Sequence, residues 1–220
     1  MVKNEKILSP ANFIAALVIA VLVISASVTF TLFDRAAYTR MLDKTGLPEA
    51  IGFSKEEILE NYNALIGYNS LFFTGPLVFP TLDMSESGRI HFEEVKEIFS
   101  VIQIALIISA AMTAVFCVKL FKKKRIKFLT LGGIISLLIP AAVAGTMLAV
   151  GWDRFFVLFH HLFFNNEFWV FDYMTDPVIL ILPDTWFLKC LFRIITGIVV
   201  SSIILVIFSK TFENILKFRK

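Results

Sequence analysis

Residues 11–33 read ANFIAALVIAVLVISASVTFTLF, a run of 23 residues without a charge. Three further stretches are almost as apolar, at residues 98–118, 128–151 and 190–209, and one arginine is their only charged residue. A helix needs roughly 20 residues to cross the hydrocarbon core of a bilayer, which is about 30 Å thick. Backbone polar groups must bond internally in lipid, which favours helices over open strands. The sequence therefore predicts an α-helical integral membrane protein with four transmembrane helices.

The composition favours the same class. The chain is 57% hydrophobic and only 18% charged, whereas soluble domains carry about 25% charged residues. The first apolar run is longer than the core of a cleaved signal peptide, which is roughly 7–15 residues. Three more spans follow it, so we interpret it as a retained helix.

Basic residues are concentrated in the short segments that flank these spans. The N-terminal tail, residues 119–127 and the tail 210–220 hold 12 of the 21 Lys and Arg residues but only two of the 18 Asp and Glu residues. The positive-inside rule predicts that these segments are cytoplasmic, with both termini inside. The clustered basic residues are therefore an orientation signal, and the net charge of +3 indicates no nucleic-acid partner.

Residues 34–97 and 152–189 form two long loops, which we expect to fold into an extracytoplasmic cap. In the second loop, residues 152–164 are aromatic or aliphatic on nearly every face, which predicts a helix buried in protein or lying along the membrane surface. Residues 165–177 are polar and turn-rich, with aromatic residues interspersed, and predict an irregular loop.

The first loop has recognisable helix signals. Ser54 and Glu57 have the spacing of a capping box and predict a helix that ends near Gly67. Residues 71–82 contain two prolines and are predicted to be extended. A second helix is predicted to start near Ile90 and to run on into the second span.

All three histidines, His91, His160 and His161, lie in these loops, near the predicted membrane boundary. Histidine is the side chain best suited to proton transfer near neutral pH. An isolated histidine on an apolar helix is nevertheless more often structural than catalytic, and the residues alone leave both readings open. A metal site is disfavoured because adjacent helix residues point about 100° apart and the spacing fits no zinc pattern.

Two other patterns are weaker. Residues 83–94 fit part of a calcium-binding loop, but serines stand at two ligand positions and prolines precede it. Cys117 and Cys190 fall at opposite ends of their spans, too far apart for a disulfide.

Three motifs, taken in their order along the chain, resemble those of the bacterial lipoprotein intramolecular transacylase family. These are four-span membrane proteins of Gram-positive bacteria. The matching stretches are residues 60–68, ENYNALIGY, residues 87–96, SGRIHFEEVK, and residues 159–169, FHHLFFNNEFW, together with Asp172, Asp176 and Pro183. The resemblance covers the spans and the cap over the whole length.

The resemblance implies a reaction on a lipoprotein whose N-terminal Cys carries a diacylglyceryl group. The sn-2 acyl chain moves from the glycerol oxygen to the α-amino group of that Cys, giving an N-acylated lyso-form lipoprotein without any cofactor. The implied catalytic pair is His91 and His160, because the family's Phe-His-x-x-Phe-Phe pattern selects His160 and leaves His161 as second choice. The predicted substrate-binding residues are Tyr62, Phe156, Phe159, Phe163, Asn165, Trp169, Asp172 and Asp176.

Two alternatives stay open from sequence. The same histidines could serve an intermolecular acyltransferase or a lipid hydrolase, and the chain could instead be a non-catalytic accessory protein of the membrane. The expected partners are the lipoprotein substrate and membrane lipid, and the expected state is a monomer. We expect a multi-pass protein of the bacterial cell membrane, with its active site at the extracytoplasmic face.

Overall fold

The computed structural model describes residues 10–122 and 126–218, and these residues are helices and connecting loops without a strand. Residues 1–9, 123–125 and 219–220, which carry several of the basic residues used for orientation, lie outside the described part. The helices are α1 Pro10–Phe33, α2 Arg35–Thr45, α3 Leu47–Ile51, α4 Lys55–Tyr68, α5 Glu86–Lys122, α6 Lys127–Ile135, α7 Leu138–Val150, α8 Trp152–Phe163, α9 Val178–Ile181 and α10 Asp184–Phe218.

Four helical segments are long and apolar enough to cross a membrane: α1, α5, α6 with α7, and α10. In the most apolar 18-residue windows of α5 and α10, only 11% of the residues are buried within the protein. Their remaining apolar side chains face outwards and need lipid as their solvent. The predicted class, an α-helical membrane protein with four transmembrane helices, is confirmed.

The predicted start of the second loop helix was wrong by one turn. Helix α5 begins at Glu86, not near Ile90, because the Ser85 side chain accepts a hydrogen bond from the backbone N–H of Gly88 at 3.0 Å. This satisfies a donor that the first turn of a helix leaves free. As predicted, the helix then continues into the second span without a break, through to Lys122.

The third span is interrupted, which the sequence pattern did not predict. Helix α6 ends at Ile135 and α7 begins at Leu138. Pro140 lacks the N–H that would bond to the carbonyl of Ser136, and its ring would clash there. The Ser136 hydroxyl hydrogen-bonds to the hydroxyl of Ser202 on α10 at 2.7 Å, so this break is also a helix-to-helix contact.

The chain divides into two compact units. The membrane unit comprises residues 10–28, 103–146 and 193–218 of the described part. Its helices pack closely: a Cβ added to Gly132 would lie 2.6 Å from the Cγ2 of Ile19. Its buried apolar core consists of Ala15, Ile19, Val23, Ile126, Phe128, Leu129 and Ile198.

The cap unit comprises residues 29–102 and 147–192, which begin and end close to the two predicted loops. Its core is built on aromatic rings. Tyr38 and Tyr62 stack with centroids 3.6 Å apart, and Trp186 packs edge-on against both. The Tyr38 hydroxyl donates to the carbonyl of Ile181, which ties α2 to α9. That this unit faces the outside of the cell stays a prediction.

In the cap unit, α4 begins where the capping signal predicts it. The Ser54 side chain accepts from the N–H of Glu57, and the helix runs over Lys55–Tyr68. Helices α2 and α3 were not predicted; Asp34 caps α2, and Gly46 separates the two helices with a φ of 61°. The buried residues of α2, Ala37, Tyr38, Met41 and Leu42, recur at helical spacing, a signal that the prediction left unused. Helix α3 has only five residues and is too short to show a period.

The second loop opens with the predicted helix. Gly151, with a φ of 82°, ends α7, and α8 follows at once over Trp152–Phe163. None of the α8 side chains is fully buried in the protein, and Leu158 and Leu162 are exposed. The location of α8 at the membrane surface stays a prediction. Helix α10 begins at Asp184, inside the predicted loop and six residues before the predicted span. A transmembrane helix can extend beyond the lipid, so this start is compatible with that span.

Candidate active site

His91 lies in the second turn of α5, in a pocket of aromatic rings. Its side chain is 6% exposed. The ring meets Phe164 and Phe171 edge-on, with centroids 4.7 Å and 5.5 Å away. Its Nδ1 is buried and has no hydrogen-bond partner within the described part of the chain. A buried polar atom of this kind needs an explanation, and a catalytic role is one of the usual ones.

His160 lies in the last turn of α8 and has a defined tautomer. Its Nδ1 is 2.7 Å from the carbonyl oxygen of Phe156, four residues earlier. Because a carbonyl can only accept, Nδ1 carries the hydrogen, and Nε2 of the neutral ring keeps its lone pair. The ring stacks on Trp169, with centroids 4.5 Å apart and planes at 28°. His160 is therefore held by a helix carbonyl on one side and by an indole on another.

The structure brings these two histidines together. The ring centroids of His91 and His160 are 6.2 Å apart, and Phe164 packs against both rings. The residues are 69 positions apart in sequence, on helices α5 and α8. At this separation two imidazoles can address one small reacting group.

Both rings favour the neutral form. His91 precedes residues 98–118, the uncharged part of α5 that is predicted to cross the membrane. Burial, together with the smaller effect of the neighbouring His160, lowers the pKa of His91 from 6.5 to about 4. Burial also lowers the pKa of His160, although its hydrogen bond to the Phe156 carbonyl acts in the opposite direction. At pH 7 both imidazoles can accept a proton.

His161 has a different environment. Its side chain is half exposed, and its Nδ1 lies 3.7 Å from a carboxylate oxygen of Glu167, which is also exposed. It touches Trp169 only with its edge, at a centroid distance of 5.6 Å. The ring that faces His91 is that of His160.

The predicted aromatic residues gather around His160. Phe156 lies 4.2 Å from its ring centroid, and Phe159 lies 5.6 Å away on the same helix. Phe163 packs on Phe159 at 4.8 Å. Phe159 and Phe163 are 44% and 49% exposed, so they extend this aromatic wall to the surface of the cap unit.

The remaining predicted substrate-binding residues do not join this cluster. Tyr62 is 3% exposed and belongs to the aromatic core around Tyr38. Asp176 is buried and accepts hydrogen bonds from the N–H of Ser85 and the hydroxyl of Thr175, both at 2.8 Å. These two side chains have partners within the protein, and their role in substrate binding stays a prediction.

Asp172 and Asn165 lie in the loop that follows α8. Asp172 accepts from the N–H of Met174 and so stabilises its own turn. Asn165 is exposed. Among the described residues, no group of three His, Cys, Asp or Glu side chains is arranged to hold a metal ion.

Comparisons with known proteins identify the family of this chain. The model of the family described as lipoprotein intramolecular transacylase Lit matches residues 13–187. The chain belongs to the Lit family. A search of curated protein sequences finds no match.

Solved structures lead to the same family. The membrane integral lipoprotein intramolecular transacylase Lit from Bacillus cereus is 33% identical, with a TM-score of 0.90. The match covers 94% of this chain and 96% of that one. Two structures of the same Bacillus cereus protein, with a histidine replaced by arginine or by alanine, are each 32% identical, with TM-scores of 0.86. These matches cover 96% and 94% of this chain, and 93% and 94% of those chains. The predicted family is confirmed.

Asn166 and Glu94 lie inside the Lit-like motifs, and their contact is visible only in the structure. The side-chain amide of Asn166 donates to Oε1 of Glu94 at 2.8 Å, which links the loop after α8 to helix α5. The carbonyl of Asn166 accepts from the indole N–H of Trp169 at 3.1 Å. Since Trp169 stacks on His160, this chain of contacts joins the two helices that carry the histidines. Nothing in the sequence pairs residues 72 positions apart.

Gly88 was also missed. It is buried one turn before His91, and a Cβ added there would lie 2.2 Å from Oδ1 of Asp176. The Asp176 carboxylate reaches the first turn of α5 because this position has no side chain. A glycine in the first turn of a helix, next to the serine cap, is the signal that could have identified this contact.

Proposed function

We propose that this chain is a lipoprotein intramolecular transacylase in which His91 and His160 carry out the proton transfers. The observation that supports this role is the pairing of two neutral imidazoles 6.2 Å apart within an aromatic wall. The substrate is a lipoprotein with a diacylglyceryl group on its N-terminal Cys. The sn-2 acyl chain passes from the glycerol oxygen to the α-nitrogen of the same molecule.

The reaction needs two proton acceptors and one proton donor. The α-amino group has a reference pKa of roughly 7.7–8.0, so it arrives largely as an ammonium ion. Neutral His160 takes its first proton on Nε2, and the Phe156 carbonyl stabilises the resulting imidazolium through Nδ1–H. The free amine then attacks the ester carbonyl, and the new C–N bond forms.

In the tetrahedral intermediate the nitrogen is cationic and is a stronger acid than the ammonium of the free substrate. His91 is a weak base because of its burial, yet it suffices to take this second proton. The C–O bond to glycerol breaks as the His160 imidazolium returns its proton to the leaving oxygen. The products are an amide, a free glycerol hydroxyl and one proton, which His91 releases to solvent. General acid–base catalysis of this kind contributes about 10²–10⁴-fold to a rate.

The aromatic wall has a separate task. Converting an ester to an amide is downhill, so the reaction needs no cofactor or energy source. Water is the competing nucleophile, and its attack would release a free fatty acid. Phe156, Phe159 and Trp169 surround His160 with apolar surface and disfavour water there. Holding amine and ester side by side can contribute roughly 7–11 kcal/mol to lowering the barrier.

The location of the site follows from charge. The short segments that flank the spans are strongly basic and are cytoplasmic by the positive-inside rule, so the histidines face the outside of the bacterial cell membrane. Membrane lipid surrounds the apolar spans. One copy of the chain supplies both histidines, so the chain acts as a monomer.

Tandem mass spectrometry of one abundant lipoprotein tests this function. The intact mass does not change, because an intramolecular transfer makes an isomer, so fragment ions are needed. In a host that lacks such an enzyme, expression should give N-acyl-Cys with a monoacylglyceryl group. The variant His160→Asn should lose this product, and the control His161→Asn should keep it.

Other products point to other functions. Free fatty acid in place of the amide indicates a hydrolase. Label that moves between two lipoproteins indicates an intermolecular acyltransferase. Unchanged lipoprotein in cells with and without the chain contradicts the proposal and favours an accessory protein.

A further inference from the structure

Glu94 lies on α5 one turn after His91, and the two oxygens of its carboxylate have different surroundings. Its Oε1 accepts a hydrogen bond from the side-chain amide of Asn166 at 2.8 Å. Its Oε2 is buried and has no hydrogen-bond partner within the described residues. The side chain as a whole is half-buried, so the carboxylate lies just below the surface of the cap unit.

Such an oxygen is costly in a protein that binds nothing there. A buried charged group is stabilised only when it is paired or hydrogen-bonded. Nearby acids have their partners: Asp176 accepts from Ser85 and Thr175, and Glu93 pairs with Arg89. Among the described acidic side chains, the buried oxygen without a partner belongs to Glu94.

A second buried atom without a partner lies on the same helix. His91 Nδ1 is also buried without a partner in the described part of the chain. Residues three apart on a helix have Cβ atoms about 5–6 Å apart and share a face. Both side chains therefore project from one face of α5. With the His91 hydrogen on Nε2, Nδ1 is an acceptor, and a group with several N–H donors can satisfy both atoms.

We propose that Glu94 Oε2 and His91 Nδ1 together receive the α-ammonium group of the lipoprotein substrate. This assignment rests on the proposed function, which supplies the ammonium. The ammonium has three N–H donors and one positive charge, matching one carboxylate oxygen and one imidazole nitrogen. Glu94 is then a substrate-binding residue, and Asn166 positions it from the opposite side.

This binding site for the ammonium group also distinguishes substrate from product. After transfer the nitrogen is a neutral amide with a single N–H and a bulky acyl group. It no longer satisfies the carboxylate by charge or by number of donors, so the N-acylated product binds more weakly than the substrate. Glu94 therefore favours release of the product.

Binding of two unreactive ligands tests the proposal. Both are lipopeptides with ether-linked chains, which cannot be transferred, and one has a free α-amine whereas the other is N-acetylated. With the full chain in nanodiscs, Glu94→Gln should weaken binding of the free-amine ligand by roughly tenfold or more. It should leave the Kd of the N-acetylated ligand nearly unchanged. The control Glu97→Gln, at an exposed position on the same helix, should change neither.

Equal weakening of both ligands by Glu94→Gln indicates a structural role and overturns the proposal, as does no weakening of either. If Glu94→Gln does not fold, the pH dependence of ligand binding by the wild-type chain still tests the proposal. Its affinity for the free-amine ligand should fall as pH rises through about 8, where the ammonium loses its proton, while the N-acetylated ligand stays constant. Equal pH dependence of the two ligands overturns the proposal. Failure of the wild type to transfer ester-linked chains would instead count against the proposed function, independently of these affinities.

Discussion

His160 and His161 are neighbours in sequence and differ in almost every physical respect. His160 stacks on Trp169, donates from Nδ1 to a helix carbonyl and faces His91. His161 is half exposed and lies near an exposed carboxylate. The properties of a histidine therefore depend on its surroundings. A shift of one position along a helix, which is a rotation of about 100°, is enough to change those surroundings.

Replacing each histidine in turn is the strongest test of this comparison. His160→Asn removes the Nε2 lone pair, and we expect the transfer rate to fall on the order of 10²–10⁴-fold. His161→Asn should leave the rate within about twofold, because its side chain is solvated. Initial rates of N-acyl product formation on a synthetic lipopeptide measure both. Equal losses in the two variants would mean that their environments do not separate their roles.

Acid should destabilise the fold through the buried histidines. Burial lowers the folded-state pKa of His91 to about 4, below its ordinary value of 6.5. Between these values the unfolded chain binds more protons, so the free energy of unfolding falls as pH drops from 6.5 towards 4. The loss from His91 is about 2 kcal/mol at pH 5.

Thermal unfolding at pH 7 and pH 5 measures this effect. His91→Gln should flatten the pH dependence, whatever it does to the stability at pH 7. His161→Gln should leave the slope as it is in the wild type. A wild-type chain that is equally stable at both pH values would contradict the neutral, buried state of His91.

Trp169 touches both histidines but through different faces, so its removal should affect them unequally. Trp169→Leu keeps apolar bulk but loses the stacking surface under His160. We expect the transfer rate to fall by roughly tenfold, since a small misplacement of a catalytic group is costly. The fraction of free fatty acid among the products should rise as water gains access. Chromatography of the released lipid, alongside the amide product, gives both numbers.

The smallest expected effect is at Glu167, which lies 3.7 Å from His161. Both side chains are at least half exposed, and such pairs contribute about 0–1 kcal/mol to stability. Glu167→Gln should leave the transfer rate within about twofold and the melting temperature nearly unchanged. A large loss of activity would show that the exposed loop after α8 also contacts the substrate.

The sequence was informative where the physics is local or periodic. Four apolar runs long enough to span lipid and the Ser54 cap needed no tertiary knowledge, and the motif order identified the family. What it missed depends on contacts distant in sequence, such as Asn166 reaching Glu94, or on a single proline acting on a carbonyl four residues earlier at Ser136.

Tyr62 illustrates a different limit. A residue in a motif can serve packing as readily as chemistry, and the structure shows that Tyr62 stacks on Tyr38 in the core of the cap unit. Its predicted role in substrate binding stays a prediction. The choice between His160 and His161 was open from the residues for the same reason. Their orientation depends on where α8 lies against α5, which adjacent positions in a sequence do not reveal.

The partner of His160 Nδ1 is a main-chain atom, the carbonyl of residue 156. Every amino acid has that oxygen, so replacing Phe156 changes the wall of the site but leaves the acceptor in place. Substitutions at position 156 can therefore change the aromatic wall while this histidine keeps the same tautomer. In this helix the side chains are open to variation, and the backbone preserves the chemistry.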